Sequence, residues 1–261
     1  MDKRRVVSFS FIVCIGVLVL SVVINVSQLD SIESLKLGAS VQVVDRNNRP
    51  LLQTSSEDGT LRTWIPLKRV PSKFQNLLVF SEDKRFFYHP GFDPIAIIRS
   101  AYLNLKYGKI VSGASTITQQ LVKLQTGNQT KSTLRKIKEI LLAIGYELRY
   151  SKYEILEAYI NSVYLGYSRV GFSSASWFYF DKPLHALSVS EFARLICLLR
   201  SPYYFDPFRF SEPLRHESNK LLERAASKTI ISNDEYKRAK KITLSYLKNQ
   251  PKTEAEHFTQ F

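Results

Sequence analysis

The N-terminal stretch constrains this chain more strongly than any other feature of its sequence. Residues 6–28 carry no charged side chain and are rich in Val, Ile, Leu and Phe. A run of this length can cross a bilayer, which takes about 20 apolar residues in a helix. Lys3, Arg4 and Arg5 precede the run, and no small-x-small cleavage site follows it. The pattern predicts an uncleaved, single-pass signal anchor with a cytoplasmic N-terminus, which would leave the rest of the chain on the outer face of the membrane.

The composition limits the kinds of molecule that this protein is expected to bind. The 261 residues leave room for one medium-sized domain with a sizeable core beside the anchor. The net charge of +14 predicts an anionic partner, such as nucleic acid, lipid headgroups or a phosphorylated substrate. An outward-facing domain would meet no nucleic acid. Cys14 and Cys197 each lie in an apolar run, so we expect neither a disulfide nor a Cys/His metal site.

The chain divides into four parts. Residues 1–29 form the cytoplasmic tip and anchor, and residues 30–70 form a stem. Within the stem, segments 40–44 and 51–54 flank a turn, which predicts a β-hairpin. Residues 71–250 should form one mostly helical domain, and residues 251–261 a polar tail.

Several helix starts can be located from the sequence. Asp93 before Pro94 is typical of an N-cap followed by proline at the first helical position. Three S-x-x-E segments predict capping boxes, in which the two side chains satisfy free amides at a helix start. They are Ser151–Glu154, Ser188–Glu191 and Ser232–Glu235.

Two polar clusters, at 82–91 and 113–120, bracket one short amphipathic helix. Upstream, Phe74, Leu77 and Leu78 recur at helical spacing, and Glu82 continues the same apolar stripe. A carboxylate at the end of a buried stripe is partly desolvated, which raises its pKa and suits it to proton transfer. The alternative is a structural glutamate at a helix end, paired with Arg85 or a nearby amide.

Two further helices carry apolar rows. The row on the helix between the polar clusters predicts core packing, with a membrane-facing surface as the alternative; it consists of Ile95, Ile98, Tyr102 and Leu105. A second row predicts the buried seam of a longer helix; it consists of Leu134, Ile137, Leu141, Ile144 and Leu148.

A cluster of cations shares that longer helix. Lys131, Arg135, Lys136 and Lys138 surround Glu139, and Lys123 lies shortly before them. Charge on an outer helix face is usually only solvated. The excess of cations favours binding of a diphosphate, where fixed positive charge stabilises a leaving group.

Four segments in this order resemble the monofunctional peptidoglycan glycosyltransferases, or biosynthetic transglycosylases, which polymerise lipid II into glycan strands. The segments are E-D-x-x-F-x-x-H-x-G at 82–91, G-x-S-T-I-T-Q-Q at 113–120, R-K-x-x-E at 135–139 and K-x-E-I-L-E-x-Y-I-N at 152–161. The resemblance spans about residues 70–236. It implies a mostly α, lysozyme-like, two-lobed helical domain, here with a short β-hairpin stem and one N-terminal transmembrane helix.

The resemblance also implies roles for individual residues. Glu82 matches the general base that deprotonates the acceptor hydroxyl, and Glu139 the second carboxylate, which assists at the donor directly or through a divalent cation, Mg²⁺ or Mn²⁺. No other cofactor is implied, and inversion at the anomeric carbon needs no protein nucleophile. Glu154, Tyr159 and Asn161 match structural positions. The substrate-binding positions are Asp83, Lys84, His89, Ser115, Thr118, Gln119, Gln120, Lys123, Lys131, Arg135, Lys136 and Lys138.

The chain departs from the family pattern in several places, one of which is the unusually serine-rich stretch at 171–176. Lys131 and Leu124 stand where the family has Arg and Asn, and Glu217 stands where it has Arg, which leaves Arg215 or Arg224 as a replacement. Bifunctional relatives add a transpeptidase domain. Here S-x-x-K occurs at 81–84 but K-T-G is absent, so we expect no transpeptidase activity.

The expected location is the bacterial inner membrane, with the catalytic domain on the periplasmic face. The expected partners are lipid II, the growing glycan strand, membrane lipids, and penicillin-binding or division proteins. Two other functions stay open at this point: a lysozyme-like enzyme that cleaves glycan, and an inactive anchored scaffold. The cation cluster argues against cleavage, which releases no diphosphate, and the two glutamates argue against an inactive scaffold.

Overall fold

The computed structural model describes most of the chain after the N-terminal stretch. The described residues are 27, 29–38, 40, 42–44, 46, 50–53, 55–56, 58–109, 113–127, 133–242, 244 and 246. The predicted anchor lies outside them apart from Ser27, as do Lys131 and the predicted tail. Among these residues no helix is long and apolar enough to cross a membrane.

The described chain is mostly helical, as the sequence predicts. The helices are α1 (Ile32–Leu37), α2 (Ser72–Glu82), α3 (Pro94–Tyr107), α4 (Ile117–Thr126), α5 (Thr133–Arg149), α6 (Lys152–Ser162), α7 (Phe172–Phe180), α8 (Val189–Leu198), α9 (Ser211–Ala226) and α10 (Asn233–Lys241). Short 3₁₀ helices occur at Leu67–Arg69, Phe86–Tyr88 and Leu184–Ala186. The chain forms two compact units: unit 1 contains residues 1–31 and 86–155, and unit 2 contains residues 32–85 and 156–261.

Unit 2 contains two small sheets. Strands β1 (Gln42–Val44) and β2 (Pro50–Gln53) pair antiparallel at the place where the sequence predicts a hairpin. Strand β3 (Leu61–Arg62) pairs parallel with β4 (Arg169–Val170), a contact that the sequence does not predict. Strands of two residues have no hydrophobic period to detect, and their partners lie far apart along the chain.

The predicted helix starts are confirmed. The Asp93 carboxylate accepts a hydrogen bond from the Ala96 amide at 2.9 Å, with Pro94 at the first helical position of α3. The three predicted capping boxes are present at α6, α8 and α10. A fourth, formed by Thr116 and Gln119, begins α4. Its T-x-x-Q pattern is visible in the sequence and could have predicted this helix start.

The core of unit 2 forms around α2. Phe74, Leu77 and Leu78 are fully buried, as their spacing predicts. The Phe74 ring meets the ring of Phe172 on α7 in an edge-on contact, with 4.8 Å between centroids, and that of Phe192 on α8 at 5.1 Å. This packing holds the end of α2, and therefore Glu82, in a fixed place within the unit.

In unit 1 the buried face of α5 is not the one that the sequence predicts. Leu134, Ile137 and Leu148 are 50–85% exposed, so the predicted seam is wrong. The buried face instead contains Leu142 and Tyr146, together with Ala143 and Glu139. Hydrophobic spacing reports where apolar residues lie on a helix, but not whether that side meets protein, so here it gave the wrong side.

The apolar row on α3 is also exposed. Ile95, Ile98, Tyr102 and Leu105 are 59–85% exposed, so the prediction of core packing is wrong. The residues of α3 that are buried are the small ones, Ala96 and Ser100. Unit 1 therefore presents aliphatic side chains outward from both α3 and α5, while large side chains from elsewhere in the unit, such as Phe86, Leu121 and Tyr146, are buried.

Candidate functional site

Glu82 is the last residue of α2 in unit 2. Its carboxylate is half-buried, and the Ser81 hydroxyl donates a hydrogen bond to its Oε1 at 3.0 Å. Asp83 follows as the C-cap and is buried, with its amide donating to the Val79 carbonyl at 2.8 Å. The Lys84 ammonium lies 4.7 Å from the centre of the Phe80 ring. Glu82 therefore ends the buried stripe of α2, where the carboxylate can still reach a ligand.

A buried tyrosine lies in the same part of unit 2. Tyr159 on α6 is fully buried, and burial raises the pKa of its hydroxyl well above the ordinary value. The charges of Glu82 and Asp83 raise that pKa further, because both carboxylates lie near the Tyr159 hydroxyl. A tyrosine that stays protonated can only help an adjacent carboxylate as a hydrogen-bond donor. Sequence spacing does not predict this arrangement, because Tyr159 lies more than 70 residues from Glu82 along the chain.

Two other polar residues of the 152–161 segment, Glu157 and Asn161, support the fold of unit 2. The Glu157 carboxylate accepts from the Trp64 indole at 3.1 Å and from the Leu67 amide at 2.8 Å. The Asn161 side chain accepts from the Ile65 amide at 2.8 Å and donates to its carbonyl at 2.9 Å. These bonds satisfy the backbone of an extended segment that has no strand partner at these residues, which is a structural role.

In unit 1, Glu139 lies on the buried face of α5 between two cations. It is 7% exposed. The Arg135 Nε donates to its Oε1 at 3.0 Å, and the Lys136 ammonium donates to its Oε2 at 3.2 Å. Charge-assisted bonds of this kind hold both cations in place on one side of the helix.

Lys136 also links α5 to the start of α4. Its ammonium donates to the Ser115 hydroxyl at 2.9 Å and to the Gln119 side-chain oxygen at 3.2 Å, in addition to Glu139. An ammonium has three hydrogens, so these three partners use all of them. The structure therefore brings together four residues that the sequence singled out in two separate segments: Ser115, Gln119, Lys136 and Glu139.

The surroundings of Glu139 do not fit a divalent cation. Both of its oxygens accept from positively charged groups, and a metal ion would have to displace one of them. Within the described ranges, no cluster of three His, Cys, Asp or Glu side chains could hold a metal. Mg²⁺ and Mn²⁺ prefer several oxygen ligands, whereas a guanidinium and an ammonium suit an anion.

A second, partly buried network in unit 1 involves Glu147 and Lys152, which sequence reasoning did not select as site residues. The Thr118 hydroxyl donates to Glu147 at 2.5 Å, and the Lys152 ammonium donates to the same carboxylate at 2.7 Å. Lys152 also donates to the His89 carbonyl at 2.6 Å and lies over the Phe86 ring. The network fixes the 86–91 segment against α4 and α5, and its signal in the sequence is only that Glu147 is a charged residue within the apolar second half of α5.

Gly91 makes a close contact between that segment and α5. Its φ is +88°, and a Cβ there would lie 2.7 Å from the Ala143 carbonyl. The Thr116 hydroxyl donates to the Gly91 carbonyl at 2.6 Å while also capping α4. A residue with a side chain cannot take this place without moving α5 or the segment.

The remaining predicted residues lie apart from these networks or outside the described chain. Gln120 is half-buried on α4, and Lys123 and Lys138 are exposed. At the departure from the family pattern, Glu217 forms an ion pair with Arg200 rather than leaving its charge unmatched. Arg215, a suggested replacement for the missing arginine, pairs with Glu212 at 2.6 Å.

Comparison with known proteins identifies the family. The sequence model of the family described as Transglycosylase matches residues 47–226. Penicillin-binding protein 1A of Aquifex aeolicus (strain VF5) is 36% identical over 197 residues, which are 76% of this chain and 27% of that protein. Penicillin-binding protein 4 of Bacillus subtilis (strain 168) is 31% identical over 269 residues, which are 95% of this chain and 42% of that protein.

A crystal structure of penicillin-binding protein 1A from Haemophilus influenzae aligns with 81% of this chain and 21% of its own, with a TM-score of 0.45 and 18% identity. This chain thus spans less than half the length of these relatives. The family model, by contrast, matches more than half of this chain and includes all four of the segments described above. The chain belongs to the transglycosylase family.

Proposed function

We propose that this protein is a peptidoglycan glycosyltransferase that polymerises lipid II into β-1,4-linked glycan strands and releases undecaprenyl diphosphate. The observation that carries the proposal is the pair of carboxylates within the region matched by the family, each with polar partners suited to one half of the reaction. Glu82 accepts from the Ser81 hydroxyl, and Glu139 accepts from the Arg135 guanidinium and the Lys136 ammonium.

In the proposed reaction the acceptor hydroxyl attacks the anomeric carbon of the donor from the side opposite the diphosphate. Glu82 takes the hydroxyl proton, the new C–O bond forms, and the bond from the anomeric carbon to the diphosphate oxygen breaks with inversion. Arg135 and Lys136, oriented by Glu139, offset the negative charge that develops on the leaving group. Lys123, Lys131 and Lys138 add to the positive field that attracts the donor.

The remaining positions are assigned to substrate binding. Asp83, Lys84 and His89 flank the proposed base on the first segment. Ser115, Thr118, Gln119 and Gln120 lie at the start of α4, where Ser115 and Gln119 already bond to Lys136. Asp83, as the next carboxylate along the chain, is the alternative base.

We assign a membrane location to the enzyme. Residues 6–28 would anchor it in the bacterial inner membrane, with residues 71–250 as the glycosyltransferase domain on the periplasmic face. The exposed aliphatic side chains of α3 and α5 suit contact with the acyl chains of the bilayer, where the lipid tail of the substrate also lies. Penicillin-binding and division proteins are candidate partners.

The direct test is whether the purified full-length chain, in detergent, converts lipid II to polymer. A muramidase should digest the product to disaccharide units, which shows that it is glycan. A chain that leaves lipid II unchanged but shortens preformed glycan would be a hydrolase instead. A folded chain with neither activity would support the scaffold function.

A further inference from the structure

An exposed aromatic surface lies in unit 2 between α8 and α9. We define it as Tyr203, Tyr204, Arg209 and Phe210, none of which has a role in the proposed reaction. Tyr203 is 72% exposed and Tyr204 is 57% exposed. The Arg209 guanidinium lies 5.7 Å from the centre of the Tyr203 ring, so a cation and an aromatic face are presented together.

A buried aspartate fixes the backbone of this surface. Asp206 is 5% exposed, and its carboxylate accepts from the Phe208 amide at 2.9 Å and from the Tyr167 hydroxyl at 2.6 Å. Its backbone carbonyl accepts from the Phe210 amide at 2.7 Å. With both carboxylate oxygens and the carbonyl engaged, the turn that carries the exposed rings is held in one conformation.

The loop behind the surface is tightly packed and strained. Gly166 has φ of +91°, and a Cβ there would lie 2.9 Å from the Tyr179 hydroxyl and 3.5 Å from the Pro202 Cβ. Tyr167 and Ser168 both have positive φ, which is unfavourable for residues with side chains. Such backbone persists only where the surroundings impose it, and it is concentrated at binding and functional sites.

We propose that this aromatic surface binds the sugar chain of the glycan strand, a proposal that rests on the function proposed above. Each sugar ring has an apolar C–H face and a rim of hydroxyls, which match the flat face and the hydroxyl of a tyrosine. Because the turn that carries the rings is held in one conformation, less backbone entropy is lost on binding. The Arg209 Nε lies 3.5 Å from Asp206 Oδ2, but the side chain is 58% exposed. Its guanidinium suits a carboxylate of the strand, which belongs to the peptide where the peptide remains and to the lactyl group where an amidase has removed it.

The composition of the surface favours sugar over the acyl region of a bilayer. Apart from Tyr102 and Tyr107, the exposed large hydrophobic residues of α3 and α5 are Ile and Leu, which have no polar edge to meet hydroxyls. The aromatic surface contains no aliphatic side chain and combines two phenols with a guanidinium. A sugar chain can contact the aromatic rings with its apolar faces and bond to the phenols and the guanidinium with its polar edges. Lipid tails can contact only the aromatic rings.

The test uses the full-length protein in detergent and uncross-linked glycan strands released from purified sacculi by an amidase. The double variant Tyr203→Ala/Tyr204→Ala should bind these strands about tenfold or more weakly than wild type, as expected when two anchoring rings are lost. Arg209→Gln should weaken binding to strands that retain the lactyl carboxylate. The control is Tyr153→Ala, which removes a similarly exposed tyrosine from α6 and should leave strand binding unchanged.

Polymerisation from lipid II is measured in parallel. The double variant should still join lipid II, but should release shorter strands because the product dissociates sooner. The proposal would be overturned if a folded double variant binds strands and releases strands of the same length as wild type. It would also be overturned if the double variant loses binding to liposomes but still binds strands. If wild-type protein binds strands but never polymerises lipid II, the proposed function fails while the binding surface stands.

Discussion

At the scale of single residues, the two carboxylates differ in what surrounds them. Glu82 ends a buried stripe, accepts from a serine hydroxyl and lies in the neighbourhood of a buried phenol. Glu139 accepts from a guanidinium and an ammonium. Two carboxylates in such unlike environments are suited to different tasks, one accepting a proton and the other orienting cations.

The first prediction concerns the proposed base. Glu82→Gln is nearly isosteric but cannot accept a proton, so polymerisation should fall by ~10² to 10⁴-fold while lipid II binding is retained. Rate and affinity are measured with the exposed variant Glu223→Gln as a control for the general effect of removing a carboxylate. If Glu82→Gln keeps more than about a tenth of the activity, the general base lies elsewhere, and Asp83 becomes the next residue to test.

The second prediction concerns Glu139. Glu139→Gln removes the charge that holds Arg135 and Lys136 on the same side of α5, so the affinity for the donor should fall together with the rate. The measurement is donor binding at equilibrium, set beside the polymerisation rate. A variant that binds the donor as tightly as wild type but does not turn over would instead give Glu139 a role in the chemical step itself.

At the scale of elements, helix starts were predictable and helix faces were not. Asp93 and the three serine boxes depend on neighbours three residues away, so the sequence alone fixes them. Which side of α3 or α5 is buried depends on what packs there. Apolar spacing cannot distinguish a protein core from an exposed apolar surface. For this reason the spacing predicts core packing for the apolar rows of both α3 and α5, although the row on α3 and most of the row on α5 are exposed. The partners of Glu139 were accessible from i,i+4 and i,i+3 spacing, whereas the contact of Lys136 with Ser115 required the tertiary structure.

The close contact between Gly91 and α5 gives a prediction about stability. Gly91→Ala should lower the free energy of unfolding by more than about 3 kcal/mol, because the new Cβ meets backbone atoms at a positive φ. Gly108→Ala is the matched control: its φ is +62°, but no atom lies within 4 Å of the added Cβ. That variant should lose only about 1 kcal/mol. If both variants lose the same free energy of unfolding in denaturant titrations, the contact of Gly91 with α5 is not the cause of the destabilisation.

The exposed row on α3 gives a prediction about membranes. Ile98→Glu with Leu105→Glu should reduce binding to anionic liposomes when residues 1–29 are removed, since both side chains are exposed and would meet lipid. The thermal midpoint should change little. Leu37→Glu, at an equally exposed leucine of α1, is the control and should bind as the parent does. A large fall in the thermal midpoint of the double variant would contradict the exposed position of this row and indicate that it packs in the protein core.

At the scale of the whole molecule, anchor, charge and apolar surface indicate the same environment. The net charge of +14 would draw the protein to anionic headgroups, and the aliphatic side chains of unit 1 would enter the layer beneath them. Each contribution is modest alone. Combined with the predicted anchor, they would restrict the protein to the membrane surface, where the proposed lipid-linked substrate lies, and would raise its effective concentration there.

The last prediction tests the anchor directly. If residues 6–28 span the membrane, deleting residues 1–29 should move the protein from the membrane fraction to one that is released by salt, because charge and exposed apolar surface then act alone. The shortened chain should still polymerise lipid II in detergent, since the residues proposed for the chemistry all follow the deletion. Full-length protein should resist extraction by high salt and alkali and require detergent. A native protein whose first residue lies beyond position 28 would contradict the uncleaved anchor, because the segment would then have been removed as a signal peptide.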